Sequence, residues 1–95
     1  MTAVVTGNPW EFTAATEGDA VAGPVYINLI ILTSGGTGGV VELLDGAGGL
    51  SLTGPIVLAV NDREVLNIQD YARGVYVESL PATCEVHVWV GRGPV

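Results

Sequence analysis

The stretch from Gly74 to Gly91 reads GVYVESLPATCEVHVWVG. Apolar and polar residues alternate, the alternation stops at Leu80-Pro81, and then it resumes. A period of two indicates strands with one covered face, because successive side chains of a strand point to opposite sides of a sheet. The stretch therefore predicts two strands, Gly74–Ser79 and Thr83–Val90, joined into a hairpin by the loop Ser79–Ala82.

The register of this hairpin can be predicted because directly opposed residues of an antiparallel pair share a face. We expect Glu78 to oppose Thr83, since a shift by one residue would mix apolar and polar side chains. One face is then apolar and consists of Val75, Val77, Cys84, Val86, Val88 and Val90. The other face consists of Tyr76, Glu78, Glu85, His87 and Trp89.

The rest of the chain also favours strands, because 14 glycines and five prolines leave few windows for a helix. The segment Val25–Thr33 is apolar on both faces, which predicts a central strand covered on both sides. The glycine run Ser34–Gly39 is interpreted as a hairpin turn to the next strand. The further predicted strands are Ala3–Val5, Trp10–Ala14, Gly39–Leu44, Ile56–Val60 and Glu64–Ile68.

These strands predict a single all-β domain, an antiparallel β-sandwich of a jelly-roll-like or barrel-like kind, with about seven or eight short strands. We expect residues 1–24 to form an N-terminal arm or short edge strands and residues 25–95 to form the sandwich.

Charge and composition exclude some partners and favour others. Ten acidic residues face three arginines and no lysine, and the net charge of −7 excludes binding to nucleic acid or to an anionic membrane. Apolar residues reach 48% and charged residues only 14%, so we expect an oligomer or a docked subunit. The alternative is a monomer with scattered apolar residues on its surface. The N-terminus has no secretory signal pattern, so synthesis in the cytoplasm is expected.

The residues with reactive side chains do not combine into a catalytic or metal-binding site. Cys84 and His87 lie on opposite faces of one strand, so they cannot form a nucleophilic pair, and Cys84 is interpreted as a small buried hydrophobe. His87 and Glu85 fall short of the three protein ligands of a zinc site. Glu78 and Glu85 have no pocket that would separate their pKa values. We therefore expect no catalytic residue, cofactor or metal ligand.

The aromatic residues are the candidates for an interface. Trp10 and Phe12 alternate near the N-terminus and form either a lid over the domain or anchors into a partner. Trp89 lies beside His87 and Tyr76 on the polar face of the predicted hairpin, where a covering subunit or segment would shield its ring from water. The candidate interface is therefore Trp10, Phe12, Tyr76, His87 and Trp89.

Three stretches within Val25–Gly91 read VYINLIILTSGGTGGVVELLDGAGG, PIVLAVNDREVLNIQDY and ARGVYVESLPATCEVHVWVG. They resemble a family of small all-β virion proteins of tailed bacteriophages. The family includes capsid decoration (cement) proteins. The resemblance implies a non-enzymatic homotrimer that docks on the major capsid protein at the exterior of the capsid and stabilises the head.

Two kinds of alternative function remain open from the sequence. The first is another virion role, as a head–tail connector, a tail subunit or a host-binding spike. The second is a carbohydrate-binding module in which Trp89, Tyr76 and His87 stack on sugars and Glu78 and Glu85 accept hydrogen bonds.

Overall fold

A computed structural model describes residues 7–13 and 17–91 of the chain. These residues contain six strands joined by turns and loops. The strands are β1 (Trp10–Thr13), β2 (Ala20–Thr33), β3 (Gly39–Leu44), β4 (Ile56–Leu58), β5 (Arg63–Ser79) and β6 (Glu85–Gly91). They form one antiparallel sheet in the order β1-β6-β2-β5-β3-β4. The predicted all-β class is confirmed. A helix long and apolar enough to cross a membrane does not occur among these residues.

The strand β2 lies in the middle of the sheet, as predicted for the segment 25–33. It pairs with β6 on one side and with β5 on the other. It is longer than predicted, because its first residues, from Ala20, pair with the second half of β5. Its alternation is interrupted at Asn28, where the register shifts against both neighbours. Ile27 is therefore buried together with Ile30 and Leu32, rather than on the face opposite to them as simple alternation predicts.

The two predicted strands Glu64–Ile68 and Gly74–Ser79 are one continuous strand, β5. The reason is the length of β2, which offers pairing partners to residues on both sides of the predicted link. A left-handed residue, Gln69 with φ 51°, lies within β5 and absorbs a local irregularity without ending the strand.

The predicted hairpin between Gly74–Ser79 and Thr83–Val90 is wrong. β6 pairs with β1 and β2, whereas the end of β5 pairs with β2 and β3, so Glu78 does not oppose Thr83. The assignment of faces is nevertheless confirmed: Val75, Val77, Cys84, Val86 and Val88 are buried. Alternation determines which side of a strand is covered, but it does not determine which strand lies beside it.

The glycine run after β2 is a crossover rather than the predicted hairpin turn, because β5 lies between β2 and β3. Backbone hydrogen bonds attach it to two other links. The Ser34 N–H donates to the Asp62 carbonyl at 3.0 Å, and the Gly35 N–H donates to the Thr83 carbonyl at 3.0 Å. Gly38 passes so close to β4 that an added Cβ would lie 2.3 Å from the Leu58 carbonyl oxygen.

One hydrophobic core joins all six strands. Phe12 of β1 is completely buried in it, and Leu80 and Cys84 contribute from the link between β5 and β6. The remaining members are Ile27, Ile30, Leu32, Val41, Leu43, Leu58, Ala72, Val75, Val77, Val86 and Val88. The predicted strand Ala3–Val5 lies outside the described residues, as does Ala14 at the end of the next predicted strand.

Candidate functional site

The two N-terminal aromatic residues pack on the core of their own chain. Phe12 lies opposite Val86 in the pairing of β1 with β6 and is completely buried. Trp10 lies opposite Val88 and packs, partly buried, against the same core. Of the two alternatives for this segment, the lid describes Phe12, because a side chain with no exposed surface cannot anchor in a partner.

The three aromatic residues expected on one hairpin face are separated by the true pairing. His87 and Trp89 remain together on β6, with their ring centroids 6.2 Å apart. Tyr76 instead lies opposite Ala20 of β2 and Leu44 of β3, whereas His87 lies opposite Ile31, eleven residues further along β2. The structure therefore does not assemble the platform of Tyr76, His87 and Trp89 that carbohydrate binding would use.

A different surface gathers around His87 and Trp89, and we call it the outer face. It is the side of β6, β2 and β5 that points away from the core, and it consists of rows of directly opposed residues. Trp89 and Asn67 flank Leu29, and His87 and Val65 flank Ile31. Gly91 and Tyr71 flank Tyr26, whose ring meets that of Tyr71 edge-on at a centroid distance of 5.0 Å. The outer face thus comprises Tyr26, Leu29, Ile31, Val65, Tyr71, His87 and Trp89.

The shift at Asn28 keeps the outer face apolar. Ile27, before Asn28, and Ile30 and Leu32, after it, are all buried in the core. Tyr26, Leu29 and Ile31 therefore lie on the opposite side of the sheet. Val65 is 48% exposed and Tyr71 is 55% exposed. The sequence signal for this surface was the apolar character of both sides of residues 25–33. Among the described residues the core covers one of these sides, and the other side is the outer face.

Charged residues border the outer face unequally. On the β1–β6 side, Glu11 and Glu85 place carboxylate oxygens 3.6 and 3.9 Å from the His87 Nε2. On the β5 side, Arg63 is exposed and lies in the same row as Glu85, with Thr33 between them. Among the described arginines, Arg73 forms an ion pair with Asp45, and Arg63 forms none. The border is therefore acidic at one side and basic at the other.

Cys84 and His87 lie on opposite sides of the sheet. Cys84 is buried, as predicted, and burial raises the pKa of its thiol, so little reactive thiolate forms near neutral pH. The Cys84 Sγ lies 3.7 Å from the Thr37 carbonyl oxygen, on the core side of the sheet, whereas His87 lies on the outer face. Within residues 7–13 and 17–91, no cluster of three His, Cys, Asp or Glu side chains could hold a metal ion.

Comparisons with known proteins returned no counterpart. Neither a protein-family model, nor a curated protein, nor a solved structure matches the chain.

Proposed function

We propose that the chain is a non-enzymatic structural subunit that works by associating with other protein subunits, as a capsid decoration protein of a tailed bacteriophage does. The observation that carries this proposal is the outer face. A small chain that displays apolar and aromatic side chains on the second side of its sheet gains stability when another protein surface covers them.

The distribution of polar residues supports an assembly role over catalysis. Among the described residues, the ion-pair partners of His87 are the carboxylates of Glu11 and Glu85, which are themselves more than half exposed at 54% and 55%. Such a group lacks the enclosed surroundings that tune an acid or a base for catalysis. Cys84 lies in the core, where substrates have no access.

The proposal includes the sandwich-like or jelly-roll-like form that the sequence favours. Support comes from β5, which pairs with β2 along both halves of its length and then with β3, so that one core forms between distant parts of the sheet. The partners in this proposal are further copies of the chain and the major capsid protein, and the location is the exterior of the virion.

Cosedimentation tests the proposed function. The purified chain is mixed with empty capsids assembled from the major capsid protein of the phage that encodes it, and separately with isolated tails. We expect the chain to sediment with the capsids in a saturable amount and to leave the tails unbound. Binding to tails alone would transfer the role to the tail, and a chain that stays in the supernatant in both mixtures would refute the proposal.

A further inference from the structure

We propose that the outer face binds the outer face of a second copy of the chain. The two copies are related by a twofold axis that lies between them and is parallel to β2. This inference rests on the proposed function, because it names the first partner of the assembling subunit. Val65 and Tyr71 are about half exposed on this surface, at 48% and 55%, and its other members are partly exposed.

The strand order determines what such an axis would bring together. Since β2 lies between β6 and β5, a rotation of 180° about β2 places β6 of each copy over β5 of the other. Leu29 and Ile31 then meet their own counterparts on the axis, which gives the contact an apolar centre. Self-complementary contacts of this kind are the usual basis of twofold dimers.

Charge complementarity favours this axis. Glu85, Thr33 and Arg63 share one row, with Thr33 on β2 in the middle. The rotation therefore places Arg63 of each copy over Glu85 of the other and forms two symmetric ion pairs. An axis across the strands would instead place Arg63 over Tyr71 and Glu85 over Gly91, and would leave the charges without partners.

The sizes of the side chains agree with the same axis. In the row of Tyr26, the rotation places the ring of Tyr71 over Gly91, which has no side chain. In the row of Leu29, it places Trp89 over the smaller Asn67. Large residues opposite small ones allow two sheets to interdigitate, which packed sheets require at a separation of about 10 Å.

The size of the outer face indicates a reversible contact. Eight residues along β2 at about 3.4 Å each, and three strands at about 4.8 Å each, cover about 400 Å² per copy. Two copies bury about 800 Å², which lies in the range of weak, transient contacts. The dimer is therefore expected to dissociate on dilution. The predicted number of copies is two, whereas the phage resemblance implies three.

Charge reversal tests the inference, with the mass of the full chain measured by sedimentation equilibrium over a concentration series. We expect the wild type to change from one copy to two. Arg63→Glu should raise the dissociation constant about tenfold or more, because each new glutamate faces Glu85. Arg63→Glu combined with Glu85→Arg should restore the wild-type constant. Arg73→Glu, which changes an arginine that pairs with Asp45 and lies beyond the last row of the outer face, should change it far less.

The outcomes separate this inference from the proposed function. A wild type that stays monomeric at every concentration, a trimer, or a dimer insensitive to Arg63→Glu would each overturn the twofold contact. Failure of the double variant to restore the dimer would overturn the pairing of Arg63 with Glu85 on which the axis depends. Binding to capsids by a chain that fails these tests would leave the structural role in place, since cosedimentation does not require the dimer.

Discussion

Ile30 and Ile31 are adjacent in β2 but lie on opposite sides of the sheet. Ile30 is completely buried among the core residues and lies opposite Val88 and Leu66. Ile31 belongs to the outer face, between His87 and Val65, and is partly exposed. The same residue type at consecutive positions therefore serves the core of the chain and the surface that we assign to a partner.

This pair predicts two different consequences of the same substitution. Ile30→Ala should reduce the free energy of unfolding by about 2–5 kcal/mol, because it removes buried methyl groups and leaves a cavity. Ile31→Ala should reduce it by about 0.5 kcal/mol or less in a dilute, monomeric sample. Urea denaturation measures both. Equal losses for the two variants would contradict the assignment of the two faces.

At Gly74 the backbone of β5 lies so close to the backbone of β2 that a single added methyl group would disturb the contact. A Cβ at this position would lie 2.6 Å from the Val21 carbonyl oxygen in β2. Gly74→Ala should therefore cost about 1–3 kcal/mol, since the two strands must move apart. Gly36→Ala is the matched control, because a Cβ there meets nothing within 4 Å. It should be neutral or stabilising by about 1 kcal/mol at most, through a less flexible unfolded chain. Identical urea midpoints for the two variants would refute the close approach.

Val86 and His87 give a third matched pair on β6. Val86 is completely buried between Phe12 and Leu32, so Val86→Asp should abolish folding by placing an unpaired charge in the core. His87→Ala should cost less than about 1 kcal/mol in the monomer, because the carboxylates near its imidazole are largely exposed. Circular dichroism and thermal unfolding distinguish the two. A folded Val86→Asp variant would show that β6 is misplaced.

The buried thiol of Cys84 should make part of the free energy of unfolding depend on pH. Burial raises the pKa of its thiol above the ordinary value of 9.0, so the folded chain holds this proton more tightly than the unfolded chain does. The resulting stabilisation is fully present below the unfolded pKa and is lost as the pH rises through the folded pKa. As the pH rises above about 8.5, the wild type should therefore lose more stability than Cys84→Ala. Parallel losses in the two proteins would contradict this. A thiol reagent should modify Cys84 quickly only after denaturation.

Local patterns in the sequence predicted much of the fold. The strand β3 has the predicted bounds, Gly39–Leu44, and the segment 25–33 is central in the sheet. The buried residues of β6 follow the predicted alternation, including Cys84 just before the strand. These features depend on neighbouring residues in the chain, because burial on one side of a strand produces an alternation that can be read directly.

The partners of the strands could not be predicted in the same way. The short loop between Ser79 and Thr83 favoured a hairpin, but β6 instead pairs with β2, more than fifty residues earlier in the chain. The irregularities at Asn28 and Gln69 also carry no signal in the polarity pattern, although they decide which side chains reach the core. The outer face was missed for both reasons, since it exists only after β6, β2 and β5 lie side by side.

The most direct test of the outer face as the contact between two copies is chemical cross-linking at the proposed axis. Ile31→Cys would place a thiol next to its own counterpart, within reach of a short bismaleimide that spans the separation of about 10 Å between packed sheets. Val57→Cys is the control, because Val57 is 75% exposed on β4, away from the outer face, and the wild type controls for Cys84. We predict a covalent dimer from Ile31→Cys and none from either control. No cross-link at Ile31→Cys, or equal cross-linking at Val57→Cys, would contradict the account.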